Sequence, residues 1–127
     1  MAQQLADRRD IDFVLWEQLD TTEILKHDRF RDYNPKTCNM LIDEARKIAI
    51  NEVWPTLAEG DLQGLRFEDG NVRHPDCFGP VQRLLIEGEW HNLEIPEERG
   101  GQGAPLMISS AAGEYSRAAN FTLASVA

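Results

Sequence analysis

A glycine-rich segment is the first place where this sequence could do chemistry. Residues 94–105 read EIPEERGGQGAP and precede a long stretch of Ala, Ser and apolar residues. Glycines ahead of a helix can hold a phosphate on the helix amides, let two chain segments approach closely, or form a flexible link. The spacing Gly100-Gly101-x-Gly103 matches neither the dinucleotide-binding fingerprint nor the phosphate loop that continues into Lys-Ser/Thr. Phosphate binding therefore has weak support.

A metal site and a nucleophilic centre also have little support. His74-x-x-Cys77 could supply half of a zinc site, but the remaining candidates His27, Cys38 and His91 are scattered along the chain. The sequence favours a surface imidazole and a packed thiol instead. No Gly-x-Ser-x-Gly elbow is present, so hydrolysis is not expected. We predict that both cysteines are reduced, buried thiols, because each lies in an apolar pattern and no export signal is visible.

Glu114 is the carboxylate that stands out among the 22 acidic residues. It falls in an Ala/Gly/Ser-rich helical pattern, where a buried carboxylate would need a partner such as an arginine or a helix N-terminus. The same residue could instead point outward beside Ser110 and Arg117. The sequence leaves both alternatives open.

Composition limits the classes of partner. The chain has 127 residues, enough for one domain with a core, and carries a formal net charge of -9. Such a charge repels nucleic-acid phosphates and anionic lipid headgroups, so neither is an expected partner. No apolar run approaches the roughly 20 residues of a membrane span, and the N-terminus lacks the apolar core of a secretory signal. We therefore expect a cytoplasmic protein without a membrane span.

Two short helices are predicted near the N-terminus. Residues 10–19, DIDFVLWEQL, place apolar side chains at helical spacing behind a possible cap at Asp10. Asp20 and Glu23 form a capping-box-like pair, which predicts a second helix. We interpret residues 1–34 as an appended helical arm.

The clearest helix signal begins at Asn34-Pro35. An Asn side chain can accept hydrogen bonds from free helix amides, and a Pro fits the first helical position. Apolar residues then recur at spacings of three and four until Pro55, which predicts an amphipathic core helix of about five turns. Its apolar positions are Cys38, Leu41, Ile42, Ala45, Ile48, Ala49 and Val53.

The rest of the chain predicts one hairpin and two further helices. Residues 65–74 form two short runs around an Asp-Gly turn, and we expect this hairpin to lie against helices because an isolated hairpin is weak. Residues 76–88 predict a helix that ends near Gly88. From Pro105 an apolar helix continues without a closing signal, and we expect it to lie against polypeptide outside this chain. The predicted fold is an all-α helical bundle with one small β-hairpin around residues 65–74.

The order of several motifs resembles a known family. GEWHNLEIPEERGGQGAP followed by GEYSRAANFTL resembles the N-terminal domain of acyl-CoA dehydrogenases, in which a Trp, Ile-Pro-Glu, Gly-Gly-x-Gly and a Glu-containing helix follow in this order. The leader DRRDIDFVLWEQLD resembles the extra arm of long bacterial members, a subfamily that includes 3-methylmercaptopropionyl-CoA dehydrogenases. The resemblance divides the chain into an arm, residues 1–34, and the family's N-terminal helical domain, residues 35–127, cut short at its C-terminal end.

The resemblance implies an FAD-dependent enzyme that removes hydrogen from the α and β carbons of an acyl-CoA thioester. It further implies electron transfer to an electron-transfer flavoprotein and a homo-oligomeric assembly. In the family, the glutamate base and most FAD contacts belong to domains beyond this one. The resemblance therefore implies no catalytic, cofactor-binding or metal-binding residue in this chain, and no activity of the chain alone.

The same resemblance implies that Phe121, Leu123 and Ala124 form part of the acyl pocket and bind substrate. Under this interpretation the glycines turn the chain tightly into the pocket-wall helix and hold no phosphate. The alternative is a free-standing helical interaction module without catalysis, whose exposed apolar face binds a partner or a second copy.

Overall fold

A computed structural model describes residue 5 and residues 7–126 of the chain, and this part is mostly helical. The elements, in chain order, are α1 (Arg8–Asp12), α2 (Thr21–Ile24), α3 (Pro35–Ile48), α4 (Thr56–Gln63), β1 (Arg66–Glu68), β2 (Asn71–Arg73), α5 (Phe78–Glu87), α6 (Leu106–Ala119) and α7 (Phe121–Val126). Helix α1 continues as a π-helical segment, Phe13–Gln18. The prediction of a helical bundle with one small hairpin is confirmed.

Helix α3 follows its sequence signals closely. The Thr37 amide donates to Asn34 Oδ1 (3.0 Å) and the Asn34 amide donates to Thr37 Oγ1 (2.9 Å), which forms a reciprocal cap ahead of Pro35. The helix continues as a π-helical segment, Ala49–Val53, and ends before Pro55. The predicted amphipathic core helix is confirmed.

The core forms where α6 lies against α3, the most extensive contact between two helices in the described part of the chain. Small side chains are buried on both sides of this contact, including Ala45 on α3, Ala49 in the π-helical segment that continues it, and Ala112 on α6. Small residues allow two helix axes to approach closely. Ile42 and Ile108 are fully buried, and each such side chain contributes roughly 1.5–3 kcal/mol through removal of apolar surface from water.

The arm begins differently from the prediction. Asp7, not Asp10, caps α1, because its Oδ1 accepts from the Arg9 amide (2.8 Å). Asp20 precedes α2 in the left-handed region (φ 47°) and makes no side-chain capping bond, so the predicted capping box with Glu23 was wrong. The two predicted helices themselves are present.

Arg8 fastens the arm to α3. Its guanidinium donates to Asp43 Oδ1 (2.9 Å) and Asn39 Oδ1 (2.9 Å), and it pairs with Asp12 on its own helix. The Trp16 indole N–H donates to the same Asn39 oxygen (3.2 Å). Charged hydrogen bonds of this kind contribute more than neutral ones when partly shielded from water. The arm is thereby held in register along α3.

The hairpin has the predicted turn but not the predicted surroundings. Asp69 and Gly70 both have positive φ (51° and 79°), and Phe67 faces Val72 across the two strands. All six strand residues are exposed, and Phe67 is 75% exposed. The expectation that the hairpin lies against helices was therefore wrong.

Helix α4, between α3 and the hairpin, was missed by the sequence analysis. Its Gly60 allows close packing, since a Cβ there would lie 2.6 Å from the Phe78 ring at the start of α5. Gln63 closes the base of the hairpin through bonds to Asp76: its amide donates to Oδ2 (2.9 Å) and its Oε1 accepts from the Asp76 backbone (2.8 Å). The hairpin is thus held at its base, and the residues of both strands stay exposed.

Helix α5 agrees with its prediction over residues 76–88. Phe78 and Leu85 are buried, and the helix ends at Gly88. Trp90 follows in a short 3₁₀ turn and is half-buried against the core. In the described part of the chain, no helix has both the length and the apolar character needed to cross a membrane.

The glycine-rich segment makes a tight corner between α5 and α6. Gly100 and Gly103 adopt positive φ (82° and 64°), which favours glycine. A side chain at Gly101 would overlap the backbone and Cβ of Ile95, whose carbonyl oxygen accepts from the Gly103 amide (2.9 Å). Close approach of two chain segments is therefore the role that the structure assigns to these glycines.

Gly101→Ala should destabilise the fold by about 2 kcal/mol or more, because the added methyl group meets backbone that cannot move aside easily. The urea midpoint of unfolding measures this change. Gly79→Ala is the matched control: nothing lies near its Cβ position on α5, and its effect should stay under about 1 kcal/mol. Equal midpoints for the two variants would contradict the close approach.

Candidate functional site

Asn120 separates α6 from α7, where the sequence analysis predicted one uninterrupted helix without a closing signal. Helix α6 ends at Ala119, and Asn120 is extended (φ -158°, ψ 98°). Its Oδ1 accepts from the Leu123 amide (3.1 Å), and its side-chain amide donates to Thr56 Oγ1 (2.9 Å), which in turn donates to the Val53 carbonyl (2.7 Å). The predicted uninterrupted helix was wrong. A buried Asn both caps α7 and fixes it to the start of α4.

The three predicted substrate-binding residues have different environments on α7. Leu123 is fully buried in the core of this chain. Phe121 is 67% exposed, and Ala124 is half-buried beside a cleft. Phe121 and Ala124 are three residues apart and so share one side of the helix. The structure therefore leaves Phe121 and Ala124 accessible, and it encloses Leu123.

The cleft beside Ala124, here called the central cleft, lies between α3, α5, α6 and α7 and has a volume of about 280 Å³. Leu85 and Leu93 belong to its apolar wall. Arg117 is its one arginine, and the guanidinium lies close to α6 because Gly113 has no side chain: Nη1 is 2.7 Å from the Cβ position there. An apolar wall with a few polar groups is typical of a site for a small ligand.

Glu114 is exposed on α6 and lies at the edge of a second cleft, which the helices of the arm form with α6. Of the two alternatives left open by the sequence, the outward orientation is confirmed. Arg117, which the sequence analysis named as a possible neighbour of Glu114, lines the central cleft. Within the described part of the chain, Glu114 is therefore a surface carboxylate.

The cysteine and histidine candidates do not converge. His74 is exposed, as predicted, and within residues 5 and 7–126 no group of three or more His, Cys, Asp and Glu side chains could hold a metal ion. Cys38 is fully buried, and burial raises the pKa of its thiol to about 11. Cys77 is only half-buried, so the prediction of two buried thiols was wrong for this residue.

Tyr115 is a buried residue of α6 with a polar hydroxyl. It is fully enclosed, and its hydroxyl finds no hydrogen-bond partner among the residues that the structure describes. Burial raises the pKa of the phenol, although the nearby cations Arg8 and Arg46 lower it. The side chain therefore stays neutral and packs where the arm meets the core.

Comparison with known proteins gives partial similarity to two dehydrogenases, whereas no family model matches the chain. The chain is 24% identical over 119 residues to a 3-methylmercaptopropionyl-CoA dehydrogenase of Ruegeria pomeroyi, which covers 90% of this chain and 19% of that protein. It is 33% identical over 87 residues to a butyryl-CoA dehydrogenase of Syntrophomonas wolfei subsp. wolfei, which covers 65% of this chain and 14% of that protein. The chain thus spans less than a fifth of the length of these relatives. The two names support the acyl-CoA dehydrogenase family and no particular subfamily.

Asn120→Ala should lower the free energy of unfolding by about 1–3 kcal/mol, because the Leu123 amide and Thr56 lose their buried partner. Urea denaturation followed by circular dichroism measures the loss. Ser125→Ala, on the exposed side of α7, should change stability by under about 0.5 kcal/mol. An Asn120→Ala protein as stable as the wild type would mean that α7 is not held by this residue.

Proposed function

We propose that the chain is the N-terminal helical part of an FAD-dependent acyl-CoA dehydrogenase. The observation that supports this most is the similarity over 90% of the chain to a protein named for acyl-CoA dehydrogenation, together with the second partial match to a butyryl-CoA dehydrogenase. The motif order gives further support, because the Ile-Pro-Glu and glycine segment forms one tight corner leading into the Glu-containing helix α6.

In this proposal the chain builds one wall of the acyl cavity. Phe121 and Ala124 present apolar surface, and Leu123 fixes the position of α7 from within the core. Apolar walls exclude water from the acyl chain, and they discriminate between chain lengths by roughly 1–3 kcal/mol per methylene group. Residues 1–34 form the arm, and residues 35–127 form the domain that carries this wall.

FAD would supply the hydride acceptor in the complete enzyme, and the family resemblance places the catalytic base and most flavin contacts outside this chain. The clefts between the described helices, at about 280 to 380 Å³, lie at the low end of the roughly 300–1,000 Å³ of small-ligand pockets, so none of them alone encloses a dinucleotide as large as FAD. We therefore assign no flavin contact and no catalytic base to this chain. The proposal places both in a longer, homo-oligomeric cytoplasmic protein that transfers electrons to an electron-transfer flavoprotein.

The test begins with the protein encoded by the complete reading frame that contains this chain. We expect the purified protein to be yellow, with a flavin absorption spectrum that bleaches when butyryl-CoA or 3-methylmercaptopropionyl-CoA is added without oxygen. A colourless protein, or a flavin spectrum that neither thioester changes, would overturn the proposal.

The same enzyme tests the wall assigned to α7. Ala124→Leu should reduce kcat/KM most for the longest acyl-CoA that the enzyme accepts, because the larger side chain shortens the cavity. The reduction for this substrate should be about tenfold greater than the reduction for a short acyl-CoA. Phe121→Ala should shift the preference toward longer chains. Met40→Ala, a 59% exposed position on α3, is the matched control and should leave the profile unchanged. If kcat/KM fell equally for all acyl chain lengths, α7 would not form part of the acyl cavity.

A further inference from the structure

The second cleft is an apolar groove between the arm and α6, here called the arm cleft. Its volume is about 360 Å³. Ile11 and Leu15 from the arm line it together with Met107 and Ala111 from α6. Val14 and Leu19 extend this apolar surface to the outside, where they are 40% and 51% exposed. A continuous apolar surface that reaches solvent is a feature of interaction sites.

Carboxylates surround this apolar groove. Asp7, Asp10 and Glu114 all line it, and Asp7 also caps α1. No Lys or Arg within residues 5 and 7–126 forms an ion pair with Asp10 or Glu114. The neighbouring arginines pair elsewhere, Arg8 with Asp43 (2.9 Å) and Arg9 with Glu17 (2.6 Å). The groove therefore combines an apolar floor with two carboxylates, Asp10 and Glu114, that form no ion pair with a described Lys or Arg.

The lining residues of the arm cleft come from two helical segments. Its arm side is lined by residues from Asp7 to Leu19, along α1 and the π-helical segment that continues it. Its α6 side reaches from Met107 to Glu114, about 10 Å at the α-helical rise of 1.5 Å per residue. The α6 side corresponds to about two turns of a helix, and apolar grooves commonly hold the apolar face of an amphipathic helix.

We propose that the arm cleft binds a basic amphipathic helix of a partner protein. Two or three side chains of Leu size contact Ile11, Leu15 and Ala111, and flanking Lys or Arg residues pair with Asp10 and Glu114. The net charge of -9 steers a basic partner toward the chain and repels an acidic one. This inference goes beyond the proposed function and does not depend on it.

The test uses the 127-residue chain and two labelled 14-residue peptides, an amphipathic helix of Leu and Lys and its counterpart of Leu and Glu. Fluorescence anisotropy should show saturable binding of the Leu/Lys peptide, weakened by salt, and none of the Leu/Glu peptide. The double variant Asp10→Asn, Glu114→Gln should raise the Kd about five- to tenfold. The control Asp28→Asn, Asp61→Asn removes the same charge from exposed sites elsewhere and should change the Kd less than twofold.

A second variant tests the apolar floor. Ser110 is exposed at the arm cleft, so Ser110→Trp should fill the groove, abolish binding of the Leu/Lys peptide and leave the circular dichroism spectrum unchanged. If the two charge variants raised the Kd equally, the binding would come from general electrostatic attraction to an acidic chain. That result would overturn the proposal. The proposal would also be overturned if the Ser110→Trp protein bound the Leu/Lys peptide as tightly as the wild type. A third contradicting result is a chain that binds no peptide but forms a dimer in sedimentation, which Ser110→Trp dissociates.

Discussion

The close contact between α3 and α6 is the constraint on which the other elements depend. Small side chains such as Ala45 and Ala112 are buried at this contact, while Ile42 and Ile108 fill the space beside it. Close packing leaves little room for adjustment, so the segments before and after α6 are restricted to a few backbone conformations. The glycine corner before α6 and Asn120 after it are the local features that meet this requirement.

A few polar contacts attach the outer segments to that core. Arg8 holds the arm through Asp43 and Asn39, and the Tyr33 hydroxyl donates to the Gln102 carbonyl (2.7 Å) of the glycine-rich segment. The hairpin is anchored only at its base and exposes both faces. Both clefts form where outer segments meet the central helices, so the sites that we propose depend on these attachments.

The predictions that succeeded rest on local signals. The cap at Asn34-Pro35 and the Asp-Gly turn act through hydrogen bonds and φ angles within a few residues, so the sequence alone is sufficient to find them. Helix α4 was missed because its apolar periodicity is weak and its Gly60 lowers helix propensity, whereas its packing on Phe78 is a tertiary effect. The break at Asn120 did carry a local signal, since Asn is a preferred cap, but the apolar residues around it suggested one continuous helix. The site depended on a resemblance, and its residue Leu123 is buried by contacts that no local pattern specifies.

Amide hydrogen exchange followed by mass spectrometry tests the central role of the α3–α6 contact most directly. The account predicts that amides of Pro35–Ile48 and Leu106–Ala119 exchange slowest, with protection close to the global free energy of unfolding. The hairpin and the arm should open at lower free energies. Protection of α6 no greater than that of the exposed hairpin would contradict the account, because α6 could then leave α3 without unfolding the rest of the chain.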